Sequence, residues 1–472
     1  MKEMILVTKT KNNSMAIILT LSLAALIGCM NMTLFNVAMP ALMIYFDTTV
    51  TKVQWLSSGF TLAAGIVTPL VGFLGDKFGY KRTLNIVSLL ILVLSVIGMF
   101  SWCIETLIVV RIFFGLTAGM LMPLSMAMLY RIIPRADQAK AAGLLGTANI
   151  FGGLVPSVLS GIIVTYLDWR ILLCMMVVLA LLLLVCSIKF IPVDDANGQM
   201  KLDGIGFAVT TVGSFVLLFS FSNFAAWGMS SQFITMMLIG VFCMAVYVKK
   251  SWNSNTAMLN LSVLKYPRYV AALIADCMNI IGLYMITFVM PLMLQNGLNF
   301  SAALTGFVML PASAVSIIAM PFATKILTKQ GEKALAIIGV LFMIVGSAVF
   351  LDIDPHISVI VVVAAMCVRS FGMGFLNLMT TNTCMAAVPA ELSGHASALT
   401  NWVRQMISAL VISVASTIIS IRLTASGAQT AEEISAVYLS SSEMLFALSC
   451  LSLLIIIPIA MKFFRGKNEM NN

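Results

Sequence analysis

The sequence predicts an all-α polytopic membrane protein: two six-helix bundles with two further helices inserted between them, fourteen transmembrane helices in all, and both termini cytoplasmic. Three observations predict it. The 472-residue chain is 61% hydrophobic and only 10% charged, with a mean hydropathy of +1.05. A soluble domain carries about 25% charged residues, and no soluble core of this size hides so much apolar surface. Apolar runs of near-spanning length recur fourteen times, and basic residues gather in alternate segments between them.

The runs fall at about 15–39, 53–74, 83–102, 107–130, 141–166 and 169–190, then 204–223 and 233–248, then 269–294, 304–327, 334–351, 357–381, 397–421 and 438–463. Each approaches the ~20 residues that a 30 Å hydrocarbon layer requires of a helix. The first has no small-residue cleavage site and is too long for a signal-peptide core, so it is expected to be retained. The second opens at Trp55 and turns into the third through Gly72-Phe-Leu-Gly-Asp76-Lys77-Phe-Gly79-Tyr-Lys81-Arg82. The fourth carries Arg111, the fifth a glycine-proline segment, and the sixth opens on Asp168-Trp169-Arg170. The seventh and eighth hold no charge, whereas the ninth holds Asp276, the twelfth Arg369 and the thirteenth Arg404.

With the N-terminus in the cytoplasm, inner segments hold 21 of the 27 Lys and Arg. Outer segments hold Lys52, Arg170 and Arg422, and the spans hold Arg111, Arg369 and Arg404. Such a bias sets orientation, and one missed helix would scramble it. Trp55, Trp102, Trp169 and Trp227 fall at outer interfaces, as an aromatic belt would place them.

An internal repeat divides the chain. Pro69, Gly79 and Lys81 recur 252 residues later as Pro321, Gly331 and Lys333. Arg111-x-x-x-Gly115 is echoed by Arg369-x-x-Gly372-x-Gly374. The expected units are residues 1–192, a bundle; 193–266, two inserted helices with linkers; and 267–472, a second bundle. Transporters commonly place the substrate site between such halves.

Composition also excludes function classes. The net charge of +9 is dispersed between spans and so does not suggest nucleic acid. The nine Cys are scattered without a C-x-x-C pair, and His356 and His395 lie far apart in sequence, so no metal site or cofactor is expected. No nucleophile–base pair or phosphate loop is present, and an enzyme is not expected.

Several local patterns then combine. Span 1 ends Asn31-Met-Thr33-Leu-Phe-Asn36-Val37-Ala38-Met39-Pro40. Pro291-Leu-Met-Leu-Gln295 precedes Gly306 and Pro311, and Gly394-His-Ala-Ser-Ala-Leu-Thr-Asn401-Trp-Val-Arg404-Gln405 opens span 13. With the Gly72–Arg82 loop, these segments resemble the fourteen-helix drug:proton antiporter branch of the major facilitator superfamily over nearly the whole chain. That resemblance implies a multidrug-efflux type of antiporter in the cell membrane, a monomer working on small amphipathic substrates and protons. Two departures stand out. Asn31 occupies the place of the branch's acid in helix 1 and cannot carry a proton. The helix 5 antiporter motif survives only as Gly152, Pro156 and Gly161.

Charges within a bilayer are costly and are functional candidates by default. Arg111 is either a stabiliser of a nearby carboxylate or a structural donor to backbone carbonyls. Asp276 lies about two turns into span 9; desolvation disfavours its ionised form, which makes it the leading proton site, unless it lies at the inner interface beside Arg268. Arg404 is expected to face the cavity, paired with an anion or with Asp276, or to clamp helices. Asn31, Asn36, Gln295, Asn401 and Gln405 either bind substrate or hold helices together. Gly72, Asp76, Gly79, Lys81 and Arg82 are expected to form a conformational latch, Asp76 capping the positive N-terminus of span 13. The first reading is thus a proton-coupled exporter of amphipathic molecules. The alternative is an exporter or flippase of a lipid, a glycolipid or one dedicated metabolite, without proton coupling.

Overall fold

Where the chain can stay helical, and where it is forced to turn, sets the architecture. The computed structural model describes residues 2–68, 70–193, 204–251, 261–389, 392–428 and 430–466. The membrane helices, numbered in chain order, are α1 (Lys2–Thr33), α2 in two segments (Trp55–Val67 and Leu70–Phe78), α3 (Tyr80–Met99), α4 (Ile104–Ile132), α5 (Arg135–Tyr166), α6 (Arg170–Phe190), α7 (Gly204–Ser222) and α8 (Ser231–Ser251). They continue as α9 (Pro267–Leu292), α10 (Ala302–Gln330), α11 (Glu332–Ala348), α12 (Val359–Ala386), α13 (Ser393–Ser426) and α14 in two segments (Ala431–Leu454 and Ile456–Phe463).

Among the described residues, ten of these are long and apolar enough to cross a membrane on their own. The other four are α2, interrupted after Val67; α5, apolar over Phe151–Tyr166; α7, apolar over Ala208–Phe221; and α11, of 17 residues. The helices also overrun the expected spans where polar residues continue a helix outside the apolar layer, as at Arg135 and Ser393. Span 1 differs the other way. Helix α1 stops at Thr33, and a turn leads to a short helix, Met39–Tyr45. Pro40 at its first turn has no N–H to give to a helix arriving from behind, so it begins one instead.

The two halves repeat each other's packing. In the first, α4 packs on α1 and α2, and α3 on α6; in the second, α12 packs on α9 and α10, and α11 on α14. Small residues permit the closest approaches. A Cβ at Gly119 would lie 2.6 Å from Ala64 Cα, and one at Gly374 would lie 2.7 Å from Ser316 O. The turns into α3 and α11 match as well, with Gly79 at φ 89° and Gly331 at φ 88°, a left-handed geometry that favours glycine.

The halves meet along two seams, α2 on α13 and α5 on α10. Helices α7 and α8 pair with each other, and α7 also packs on α13 and, more lightly, on α2. Trp55 of α2 tilts against Phe215 and Phe219 of α7, and Thr417 of α13 donates to Phe221 O at 3.3 Å. The inserted pair therefore covers the α2/α13 seam.

A buried arginine clamps each half. Arg111 Nη2 donates to Asn31 O at 2.8 Å and Nε to Leu56 O at 3.1 Å, and its guanidinium lies over the rings of Phe35 and Phe60 at 4.7 and 4.4 Å. Asn31 sits near the end of α1, where the last carbonyls lack an intrahelical donor. Arg369 Nη2 donates to Gly282 O of α9 at 2.7 Å and to Ser449 Oγ at 3.2 Å. Thus α4 holds α1, and α12 holds α9, by the same device. Arg111→Met is expected to lower stability by about 2–4 kcal/mol, since charge-assisted bonds are worth ~1.5–3 kcal/mol and two buried carbonyls would be stranded. Thermal unfolding in detergent measures this; an unchanged midpoint would show that the carbonyls do not depend on the guanidinium.

Candidate functional site

Helices α9 and α13 both run from the cytoplasmic to the outer side. Asp276 lies nine residues after Pro267, and Arg404 eleven after Ser393, so the two reach similar depth. Arg404 Nε donates to Asp276 Oδ2 at 2.6 Å and Nη2 to Asp276 Oδ1 at 2.8 Å, a fork-to-fork pair. Nη2 also donates to Thr381 Oγ1 of α12 at 2.9 Å. The side chain of Asp276 is 1% exposed and that of Arg404 26%. The carboxylate is therefore sealed into the protein, and the guanidinium forms the wall in front of it. Behind the pair, Tyr269 of α9 hydrogen-bonds to Ala396 O and Thr400 Oγ1, each at 3.0 Å, and Asn279 donates to Asn377 Oδ1 at 2.7 Å.

Arg404 faces a cavity of about 610 Å³ between the halves. One wall is the α13 stripe Ser397, Asn401, Arg404 and Gln405, residues three or four apart and hence on one helix face. Opposite stand Met32 of α1, with Met122 and Met126 of α4. Met32 stands near the outer end of α1, and the others belong to the middle and cytoplasmic parts of their helices. Further out, a second cavity of about 260 Å³ lies between α1, α5, α9, α10 and α12, lined by Thr33, Asn36, Ser157, Thr287, Ser313 and Ser370 among others.

The outer side is closed. Gly161 of α5 meets the carbonyl of Ala302, and Thr165 Oγ1 accepts from Ala303 N at 2.9 Å. A Cβ at Gly306 would lie 2.5 Å from Ser157 O. Helix α9 ends in a π-helical turn, Met293–Gly297, from which Gln295 Nε2 donates to Val37 O at 3.0 Å. Ser413 Oγ donates to Gln54 Oε1 at 3.4 Å across the other seam. A cavity toward the cytoplasm beneath a closed outer face is an inward-facing arrangement.

The sequence candidates are distributed as follows. Asp276 and Arg404 come together, and Asn401 and Gln405 share their cavity. Arg268 lies elsewhere, paired with Glu332 at 2.6 Å. Arg111 stands apart in the other half, bound to carbonyls rather than to a carboxylate. Asn31 turns away from the cavity: Nδ2 donates to Ile27 O at 3.0 Å and contacts Met176 Sδ at 3.4 Å. Asn36 accepts from Ser57 Oγ at 2.7 Å and lines the smaller cavity. Gln295 bridges the halves at the outer face. Gly152 and Gly161 are contact points of α5, the first against Leu26 O of α1 and the second against Ala302 of α10, and Pro156 is buried between them.

In the loop, Gly72 is helical within α2 and Gly79 makes the turn. Lys81 Nζ donates to Ile188 O at 3.0 Å and Ile191 O at 2.6 Å, satisfying the end of α6, and Arg82 is exposed. Pro69 and the side chains of Asp76 and His395 lie outside the described residues.

Three participants escape a reading of the sequence. Thr381 sits in a polar run, Thr380-Thr381-Asn382-Thr383, unusual at the end of an apolar span and thus a usable signal. Cys29, half-buried on the cavity wall, carries none. Glu332 directly follows Gly331 and looks like plain surface charge, yet it is 3% exposed, accepting from Arg268 and from Arg465 N at 3.1 Å.

The all-helical membrane fold agrees with what comparison with known proteins finds. Residues 21–412 match the family model for the Major Facilitator Superfamily, and the chain belongs to that family. It is 28% identical over 431 residues to the uncharacterized MFS-type transporter YhcA of Bacillus subtilis (strain 168), covering 90% of this chain and 80% of that one. It is 27% identical over 416 residues to the lincomycin resistance protein LmrB of the same organism, covering 86% and 85%. Among solved structures, a D-xylose–proton symporter superposes with a TM-score of 0.67 at 16% identity, covering 97% of this chain and 99% of that one, a likeness of fold. The protein is a multi-pass membrane transporter, not an enzyme.

Gly161→Val places a branched side chain against the Ala302 carbonyl and is expected to open the outer seam. Cys29 should then gain reactivity toward an impermeant maleimide added outside, several-fold in initial rate for a ~1 kcal/mol population shift. Equal outside labelling in mutant and wild type would show that this seam does not hold the outer side shut.

Proposed function

We propose that this transporter exports amphipathic small molecules in exchange for protons. Residues 1–192 and 267–472 act as the two moving bundles, 193–266 as an insert beside one seam, and the Gly72–Arg82 loop as an inner latch. The observation that carries the reading is the Asp276–Arg404 pair in the wall of the central cavity. A proton on Asp276 removes the negative charge that holds Arg404, whose permanent cation must then seek other acceptors. The freed guanidinium turns into the cavity space that a substrate would occupy. Loss of the proton draws it back and clears that space. Proton and substrate thus compete, as antiport requires, without direct contact between substrate and carboxylate.

Among the described residues, the other titratable side chains that feel Asp276 are Tyr269 and Cys277 of α9 and Cys384 of α12; Tyr284 feels Arg404. The resistance named for the relative LmrB is consistent with export.

The test uses inverted vesicles and a panel of amphipathic dyes. Wild type is expected to release protons when dye is added, and Asp276→Asn to lose that release by at least about tenfold, the scale of removing one charge-assisted bond, while still reaching the membrane. Undiminished dye-driven proton release in the variant would overturn the coupling role. Movement of headgroup-labelled lipid with no dye transport would favour a flippase instead.

A further inference from the structure

We infer that the central cavity selects neutral amphipaths whose polar end is rich in hydrogen-bond acceptors, such as glycosides and polyethers, and discriminates against lipophilic cations. The inference rests on the reading that this cavity is the transport site, and adds to it the class of substrate.

Charge decides the first part. A bound organic cation needs an accessible carboxylate or an aromatic face to replace its hydration. Among the described residues lining the cavity no acid is found; Arg404 supplies the charge there, and its sign repels a cation. Asp276 is sealed behind it at 1% exposure, with both carboxylate oxygens already taken by the guanidinium. Among the described residues no aromatic side chain lines this cavity either; its apolar side is methionine, with the alanines and proline of α2 and α4. An organic anion is disfavoured for a different reason. Its charge would draw Arg404 from Asp276 and so favour protonation of that acid, which makes anion and proton bind together rather than compete.

Donor geometry decides the second part. Arg404 uses Nε and Nη2 on Asp276 and Thr381, which leaves Nη1 toward the cavity. Ser397 and Asn401 lie on the same helix face, seven and three residues before it, and neither makes a hydrogen bond among the described residues. Three unused donor groups therefore point from one wall, opposite a flexible thioether wall that accommodates varied apolar shapes. Oxygen acceptors at one end and an apolar body at the other satisfy both walls. The smaller cavity continues the theme with hydroxyls and an amide and no charged lining residue.

The test is equilibrium binding to the full chain in nanodiscs at fixed pH, with no gradient. Three probes share one naphthyl body and carry a glucoside, a trimethylammonium or a sulfonate head. Wild type is expected to bind the glucoside about tenfold more tightly than the ammonium probe, the worth of roughly one hydrogen bond plus an unfavourable charge. Asn401→Ala should weaken the glucoside severalfold and leave the ammonium unchanged. Asn401→Asp should raise ammonium affinity about tenfold while keeping the fold, as retained glucoside binding would report. Ammonium bound by wild type as tightly as glucoside would overturn the selectivity and leave the transport site standing. A sulfonate preferred to the glucoside would overturn it too. Failure of all three probes to bind or to protect Cys29 from a maleimide would overturn the transport-site reading along with it.

Discussion

A guanidinium cannot remain in a low-dielectric slab without oxygen around it, and the three arginines within the spans meet that constraint in two ways. Arg111 and Arg369 take backbone carbonyls of α1 and α9, the first helix of each half. Carbonyls do not gain or lose protons, so these contacts persist through any change of pH and act as fixed joints. Arg404 takes a carboxylate. That partner can be neutralised by a single proton, and the joint it makes is conditional. Of the three span arginines, two thus join helices within a half through carbonyls, and the third is held by a carboxylate.

The switchable pair also breaks the symmetry that the clamps obey. Asn31 O and Gly282 O, the two clamp acceptors, are 251 residues apart. The same offset from Asp276 leads to Ala25, a buried methyl in α1. Among the described residues, only the second half carries an ion pair on the cavity. The insertion is placed to one side: among the described residues, α7 packs on α13 and, more lightly, on α2. The Trp55, Phe215 and Phe219 rings seal the covered seam with apolar contact that tolerates sliding better than directional hydrogen bonds would.

Much of this was legible in the sequence, for physical reasons. Hydrocarbon thickness forces span length, and charge bias forces orientation, so fourteen helices and their direction follow from residue order. Gly79 and Gly331 announce their turns because few other residues adopt a φ near +90°. Asp276 and Arg404 are conspicuous as buried charges, but 128 residues separate them and only packing shows that they face each other. Asn31 illustrates the limit most clearly. Its position is one where the family resemblance leads one to expect an acid, yet its side chain points to Met176, and the group that matters for the fold is its backbone carbonyl, which no side-chain pattern encodes. Glu332 was hidden by register: a search 252 residues after Asp76 lands on Thr328, four positions before the acid that ties the second half.

Those inner ties bear on how the molecule can move. Lys81 binds the last carbonyls of α6, and Glu332 binds Arg268 in the first turn of α9 and the backbone of Arg465 after α14. Each tie joins elements of one half and none crosses to the other. On the outer side the pattern reverses, with Gln295 on Val37, Thr165 on Ala303 and Ser413 on Gln54 all crossing between halves. The crossing bonds are single hydrogen bonds, individually worth about 1 kcal/mol net. The within-half ties are bidentate or charge-assisted, and stronger. Breaking the weaker set while keeping the stronger one rotates two intact bundles about the centre, where the one conditional contact faces the cavity. A rocking of intact halves would break the weaker of these two sets of bonds and keep the stronger.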